Sequence, residues 1–158
     1  MIENFPTKKI YNPGGLKSFG FAPAVTLTGI PQTVAGATLS ELVFKTGFNL
    51  LNGYATANTL QFTEDATENE QGVFYEQNLQ GFVPLDTAQI IALFAEMLQM
   101  RFVCIAKDFN NAKRLVGSVE NPLIFSYKYT SGNDRKDAKG YKFNFSRTST
   151  NPAPVYPF

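Results

Sequence analysis

The chain has 158 residues, 44% hydrophobic and 14% aromatic, with 14 Lys and Arg against 13 Asp and Glu for a net charge of +1. That supply of apolar residues suits one domain-sized core and argues against disorder, and the near-neutral charge argues against a protein that grips nucleic acid by neutralising phosphates. One cysteine and no histidine exclude an internal disulfide and the usual zinc sites.

Residues 1–37 carry Pro6, Pro13, Pro23, Pro31 and the pair Gly14-Gly15. Such punctuation leaves room for few periodic segments, so the stretch reads as an extended N-terminal arm, either packed on its own domain or reaching a neighbour. Val25 to Thr28 suits a short strand. Met1 to Pro6 lacks the charged-then-apolar pattern of a signal peptide, so synthesis in a cytoplasm is expected.

From residue 38 to 149 the pattern is that of a β-rich core domain. Leu42 and Phe44 alternate with Glu41, Val43 and Lys45; Leu60 and Phe62 with Thr59, Gln61 and Thr63; Val73, Tyr75 and Leu79 share a parity against Glu76, Asn78 and Gln80. Period two of this kind marks half-buried antiparallel strands. Glu64 to Glu70 reads as an acidic hairpin loop, without the glycine and ligand spacing of a calcium loop.

One helix is predicted over about 86–100, with Asp86 as N-cap and Gln89 completing a capping box. Ile90, Ile91, Leu93, Phe94, Met97 and Leu98 make it apolar over most of its surface, which predicts burial on more than one side. Its second cover would be another subunit or the N-terminal arm. The apolar stretch Ala88–Met100 is too short to span a membrane, and no membrane insertion is expected.

Phe102 to Lys107 is apolar at both parities, as in a central strand covered on both faces. Cys104 within it reads as a small buried hydrophobe. A turn at Asp108–Ala112 and a short strand at Arg114–Gly117 follow. Leu123–Tyr129 and Tyr141–Arg147 both alternate aromatic and polar residues, and are predicted to pair as a hairpin with the rings on one side. Their connection, 130–140, is long and charged. The tail 150–158 is extended by Pro152, Pro154 and Pro157 and ends in Tyr156 and Phe158. The predicted architecture is therefore α+β and β-rich: an antiparallel β-sandwich or barrel with one flanking helix and extended termini.

No catalytic apparatus is legible. Ser-His-Asp and Cys-His chemistry both need a histidine. Carboxylate pairs could come only from Asp65, Glu68, Asp134 and Asp137, which lie in polar stretches with nothing to raise a pKa. Gly14-Gly15 and Gly117 stand in no strand-to-helix context for phosphate binding. No catalytic residue, cofactor site or metal site is assigned, and an enzyme is not expected.

Arg114-Leu115-Val116-Gly117-Ser118, Asn121-Pro122-Leu123-Ile124-Phe125-Ser126-Tyr127, Ser131-Gly132, Gly140-Tyr141-Lys142-Phe143-Asn144-Phe145-Ser146 and Pro152-Ala153-Pro154 together resemble small tail-associated virion proteins of tailed phages and prophages of Bacteroidota hosts. The stretch covered is about residues 101–156, and it consists of strand and turn residues without a site signature. The resemblance implies a virion structural protein made in a host bacterial cytoplasm, a tail tube, terminator or connector type of subunit. It would act by self-assembly into homo-oligomeric rings, with other virion proteins as partners and nucleic acid met only by lining a channel. The contact residues expected on this reading are Phe94 and Met97 on the helix, Asp134, Arg135 and Lys136 in the loop, and Tyr156 and Phe158 in the tail. Two alternatives stand beside it: a carbohydrate- or cell-surface-binding β-module using Tyr54, Tyr75, Tyr127 or Tyr129 as a stacking platform, and a capsid vertex or decoration protein.

Overall fold

The computed structural model describes residues 2–5, 13–29 and 31–158. The part of the predicted arm at residues 1, 6–12 and 30 lies outside them. In chain order the elements are β1 (Leu16–Pro23), a 3-10 turn (Ala24–Thr26), β2 (Leu27–Gly29), β3 (Thr33–Val34), β4 (Ala37–Thr38), β5 (Val43–Phe44), β6 (Leu51–Asn52), β7 (Gln61–Asn69), β8 (Gly72–Val83), α1 (Ala88–Met97), β9 (Arg101–Asp108), β10 (Lys113–Val116), β11 (Leu123–Thr130) and β12 (Gly140–Ser149).

The main sheet is antiparallel in the order β6-β1-β9-β11-β12-β8-β7, with β10 also paired to β9. It folds over at β9. Only Leu123↔Phe102 and Ile124↔Arg101 join β9 to β11, and beyond that point β9 pairs with β10 instead. Two layers result, β10-β9-β1-β6 and β11-β12-β8-β7. Their inner faces meet through rings: Phe19 to Phe143 at 5.4 Å, Phe21 to Phe145 at 6.2 Å and Phe102 to Phe145 at 5.5 Å. The architecture is thus a β-sandwich with one flanking helix. Of the two predicted forms the barrel is excluded, because β6 and β7 end the strand path without pairing to each other.

The hairpin β11–β12 has the predicted register. Phe125 faces Phe145, Tyr127 faces Phe143 and Tyr129 faces Tyr141, which puts the rings on one side. β9 is buried on both faces, as its double parity requires. Phe102, Cys104 and Ala106 enter the aromatic core. Val103 and Ile105 enter a second cluster with Ala24, Leu27, Leu42, Leu115 and Tyr156. Cys104 is fully buried, and the loss of water pushes its thiol well above its ordinary range. A thiol reagent should therefore label no cysteine in the native protein and one per chain in denaturant; rapid native labelling would contradict this burial.

Three sequence expectations need correction. Leu16–Pro23, placed in the N-terminal arm, is instead a strand between β9 and β6. Its short Phe19/Phe21 alternation is bracketed by Gly15 and Pro23, which conceal it, and its partner lies some eighty residues along the chain. The acidic run is not a loop. Glu64–Asn69 pairs with β8 to the end, and the chain reverses over Glu70-Gln71. There Asn69 Oδ1 accepts the Gln71 amide at 2.8 Å, and Gly72 takes φ 126°, which favours glycine. The run is charged because β7 is an edge strand, exposed over 65–69, where charge also opposes edge-to-edge pairing. The third correction is the helix cap: Thr87 is the N-cap and its hydroxyl accepts the Ile90 amide. Position N3 is then Ile90, so no capping box forms.

The tail is held by its own chain. Val155 bridges Arg114 on one side and Ala37 on the other. The Leu115 amide donates to the Pro154 carbonyl and the Tyr156 amide to the Lys113 carbonyl, while the Thr38 amide donates to the Val155 carbonyl and the Val155 amide to the Gly36 carbonyl. The Tyr156 hydroxyl accepts the Leu42 amide at 3.0 Å inside the second cluster. A separate polar group ties the β11-β12-β8-β7 layer to the tail: Gln77 on β8 is fully buried between Glu64 on β7 and Arg147 on β12, and donates to the Asn151 carbonyl.

Candidate interaction surface

α1 docks by one stripe at the end of the β11–β12 hairpin. The Phe94 ring lies 5.2 Å from Phe125, 5.5 Å from Tyr127 and 5.2 Å from Tyr141. Phe94 and Met97 are buried and Ile90 is half-buried. The rest of the helix is open. Ile91 is 52% exposed, Leu93 42% and Leu98 44%. At 100° per residue, Ile91, Ala95 and Leu98 form one apolar flank and Leu93 the other, with Gln89 and Glu96 the polar residues between. The expected burial on more than one side does not occur within the described chain: this helix is apolar nearly all round and covered on one side.

Beside Leu93 the surface falls into an apolar groove of about 150 Å³ between α1 and the end of β6. Leu93, Leu85 and Tyr54 form its rim, and Phe19, Phe21 and Met97 lie along its floor. Its depth comes from Gly53, where any Cβ would collide with the Phe19 ring. Tyr54 is 61% exposed, and Leu51 on β6 is exposed as well. β6 also ends the sheet, so its outer edge has no strand partner among the described residues.

The charged loop meets the same end of the molecule. Lys139 Nζ lies 3.0 Å from Asp86 Oδ2, which also accepts the Tyr129 hydroxyl at 3.0 Å. These bonds, to Lys139 first and Tyr129 second, hold the Asp86 carboxyl below its ordinary 3.8; the same contact raises Lys139 and Tyr129. A carboxyl depressed in the folded state contributes stability above its ordinary pKa and loses it as pH falls through the lower folded value. Asp86→Asn should therefore be felt at neutral pH and progressively less below 3.8. The effect is small because the pair is open to solvent and salt, and an NMR titration of Asp86 with a midpoint at or above the ordinary value would contradict it. Within the loop, Asp137 Oδ2 accepts the Asn133 and Asp134 amides at 2.8 and 3.0 Å, which holds the loop in shape.

The residues singled out from sequence therefore divide. Phe94 and Met97 are spent on the chain's own core, so the helix side chains free to meet a neighbour are Ile91, Leu93 and Leu98. Asp134, Arg135 and Lys136 are exposed on the 130–140 loop. Tyr156 is buried on the opposite face of β9, where Phe158 packs edge-on against it at 5.6 Å and stays 42% exposed. Sequence reasoning missed Leu51 and Leu85; Tyr54 it considered only as a sugar platform. Isolated apolar residues in irregular stretches carry no periodic signal, and only the fold gathers them.

The carboxylates considered for chemistry do not converge. Asp65 and Glu68 are exposed on β7, Asp134 and Asp137 lie in the loop, and among the described residues no group of three or more metal-ligating side chains occurs. Tyr127 and Tyr129 lie 5.4 and 5.0 Å from Tyr141, partly exposed, so these rings pack on one another more than they form an open platform. Comparison with family models, curated proteins and solved structures finds no match for this chain.

Proposed function

We propose that this chain is a self-assembling structural subunit of a phage virion, of the tail tube, terminator or connector type. The observation that carries the self-assembly is the uncovered apolar surface made by α1, the groove and the Leu51–Tyr54 edge. Apolar surface rimmed by polar and charged groups is where protein contacts form, and here the Lys139–Asp86 pair stands at the start of α1. The virion setting rests on the C-terminal resemblance. The fold suits the role: a rigid sandwich presents an open sheet edge, a helix flank and a shaped loop at one end, while the tail locks the opposite face. On this reading the protein binds and positions other subunits and turns over no substrate.

Electron microscopy of the purified protein tests it. Closed rings or short stacks of rings are the expected result, since a head-to-tail contact between identical subunits closes by rotation. Particles of single-chain size at every concentration would overturn it.

A further inference from the structure

The β11-β12-β8-β7 layer carries charge in like-signed pairs. Lys128 on β11 stands directly opposite Lys142 on β12, and Asp65 on β7 directly opposite Glu76 on β8. All four are exposed, and none has an ion pair among the described residues. Like charges directly across two strands destabilise a sheet, so both pairs are unfavourable in a single chain. They share the outer face. The alternate residues Phe125, Phe143 and Leu79 point into the core, and α1 docks on that inner side through Phe94 on Phe125 and Tyr141.

The two pairs lie at opposite ends of this face. Lys142 is on the same strand as Thr148, which faces Glu76, and the two are about 20 Å apart at the rise of a strand. Between them lie amides and hydroxyls, Asn144, Gln80 and Gln61 in one row and Ser146, Asn78 and Thr63 in the next. Such groups both donate and accept.

We propose that two copies pack these outer faces together about a two-fold axis, with Lys128 and Lys142 of each seated on Asp65 and Glu76 of the other. An axis lying between the faces and running across the strands, near the Asn144–Asn78 hydrogen bond, exchanges the two ends. One rotation then relieves both like-charged pairs, and the amide rows meet in the middle. A second copy is the fitting partner because one face carries both signs, which is the self-complementarity of a two-fold contact. The inference rests on the self-assembly reading and adds a second contact to it. Four strands over about 20 Å make a small interface, and exposed ion pairs are individually weak. Between two free chains the contact is therefore confined to low salt. Between assemblies already joined at α1 it is repeated and adds up.

Zero-length carbodiimide crosslinking at low ionic strength, on a mixture of unlabelled and isotopically labelled full-length chain, tests it. Within one chain the lysine pair and the carboxylate pair are too far apart for such a bond. Peptides joining Lys128 or Lys142 to Asp65 or Glu76 are expected, in mixed-label form, and should vanish at high salt. Lys128→Glu/Lys142→Glu should weaken low-salt association at least tenfold, and adding Asp65→Lys/Glu76→Lys to that variant should restore it. If light scattering shows oligomers but no such peptide forms, or if the lysine reversal leaves low-salt association unchanged, the inference fails and self-assembly stands. If the parent protein is monomeric at every salt and concentration, both readings fall.

Discussion

Phe145→Ala should lower the free energy of unfolding by about 3–5 kcal/mol, the cost of emptying a phenyl site in a closed core. Phe145 is the ring where the two layers meet. Its centroid lies 6.1 Å from Phe19, 6.2 Å from Phe21, 5.5 Å from Phe102, 5.1 Å from Phe125 and 5.9 Å from Phe143. In register it faces Phe125 on one side and Leu79 on the other, both buried. Every neighbour is held by a strand, so the site collapses little when the ring goes. Against the ordinary stability of roughly 5–15 kcal/mol, this loss takes the chain close to unfolding. Urea melts should show the midpoint falling with an unchanged slope. A loss below about 1 kcal/mol would mean the layers do not meet at this ring.

Gln77→Leu should also destabilise, by about 1–3 kcal/mol, although it preserves volume. Gln77 is fully buried. Its amide nitrogen donates to Glu64 Oε2 at 3.1 Å and to the Asn151 carbonyl at 3.3 Å, and its amide oxygen accepts from Arg147 Nε at 2.6 Å. Burial lowers the Arg147 pKa, with Glu64 acting against that shift, so this guanidinium depends on its acceptors. Leucine removes the partner of Arg147 Nε and of the Asn151 carbonyl, two groups that are only partly buried, so each lost bond costs about 0.5–1.5 kcal/mol. Glu64 keeps the Ala153 amide at 2.9 Å, and Arg147 keeps the Asn121 carbonyl at 2.9 Å. The loss should appear in the same urea melts, together with faster hydrogen exchange around Asn151–Ala153. A Gln77→Leu variant as stable as the parent would show that the network does not bind the tail to the sandwich.

What sequence could reveal followed the range of the interaction. The β11–β12 hairpin was legible because alternation along each strand records which face is wet, and β9 because an apolar run at both parities records two dry faces. The helix was legible as a helix, but its cover was not: periodicity reports an apolar surface and is silent on whether the chain itself hides it. β1 was hidden because Phe19 and Phe21 give only a short alternation among glycines and prolines. The acidic run misled because charge usually marks a loop, whereas an edge strand keeps its backbone paired while both faces stay wet. Gln77 had a signal, since it shares the parity of Tyr75 and Leu79, but its partners Glu64 and Arg147 come together only through the register of three strands. The groove had almost none, because Tyr54, Leu85 and Leu93 belong to three separate segments.

Sedimentation velocity over a concentration series, on the parent protein and on Ile91→Asp/Leu93→Asp, tests the central claim most directly. Both side chains are exposed in the single chain, so the variant should melt like an isolated parent subunit. If the apolar face of α1 joins subunits, the parent sediments as an oligomer of many chains and the variant as a monomer. A parent that remains monomeric across the series, or a variant that assembles as the parent does, contradicts it.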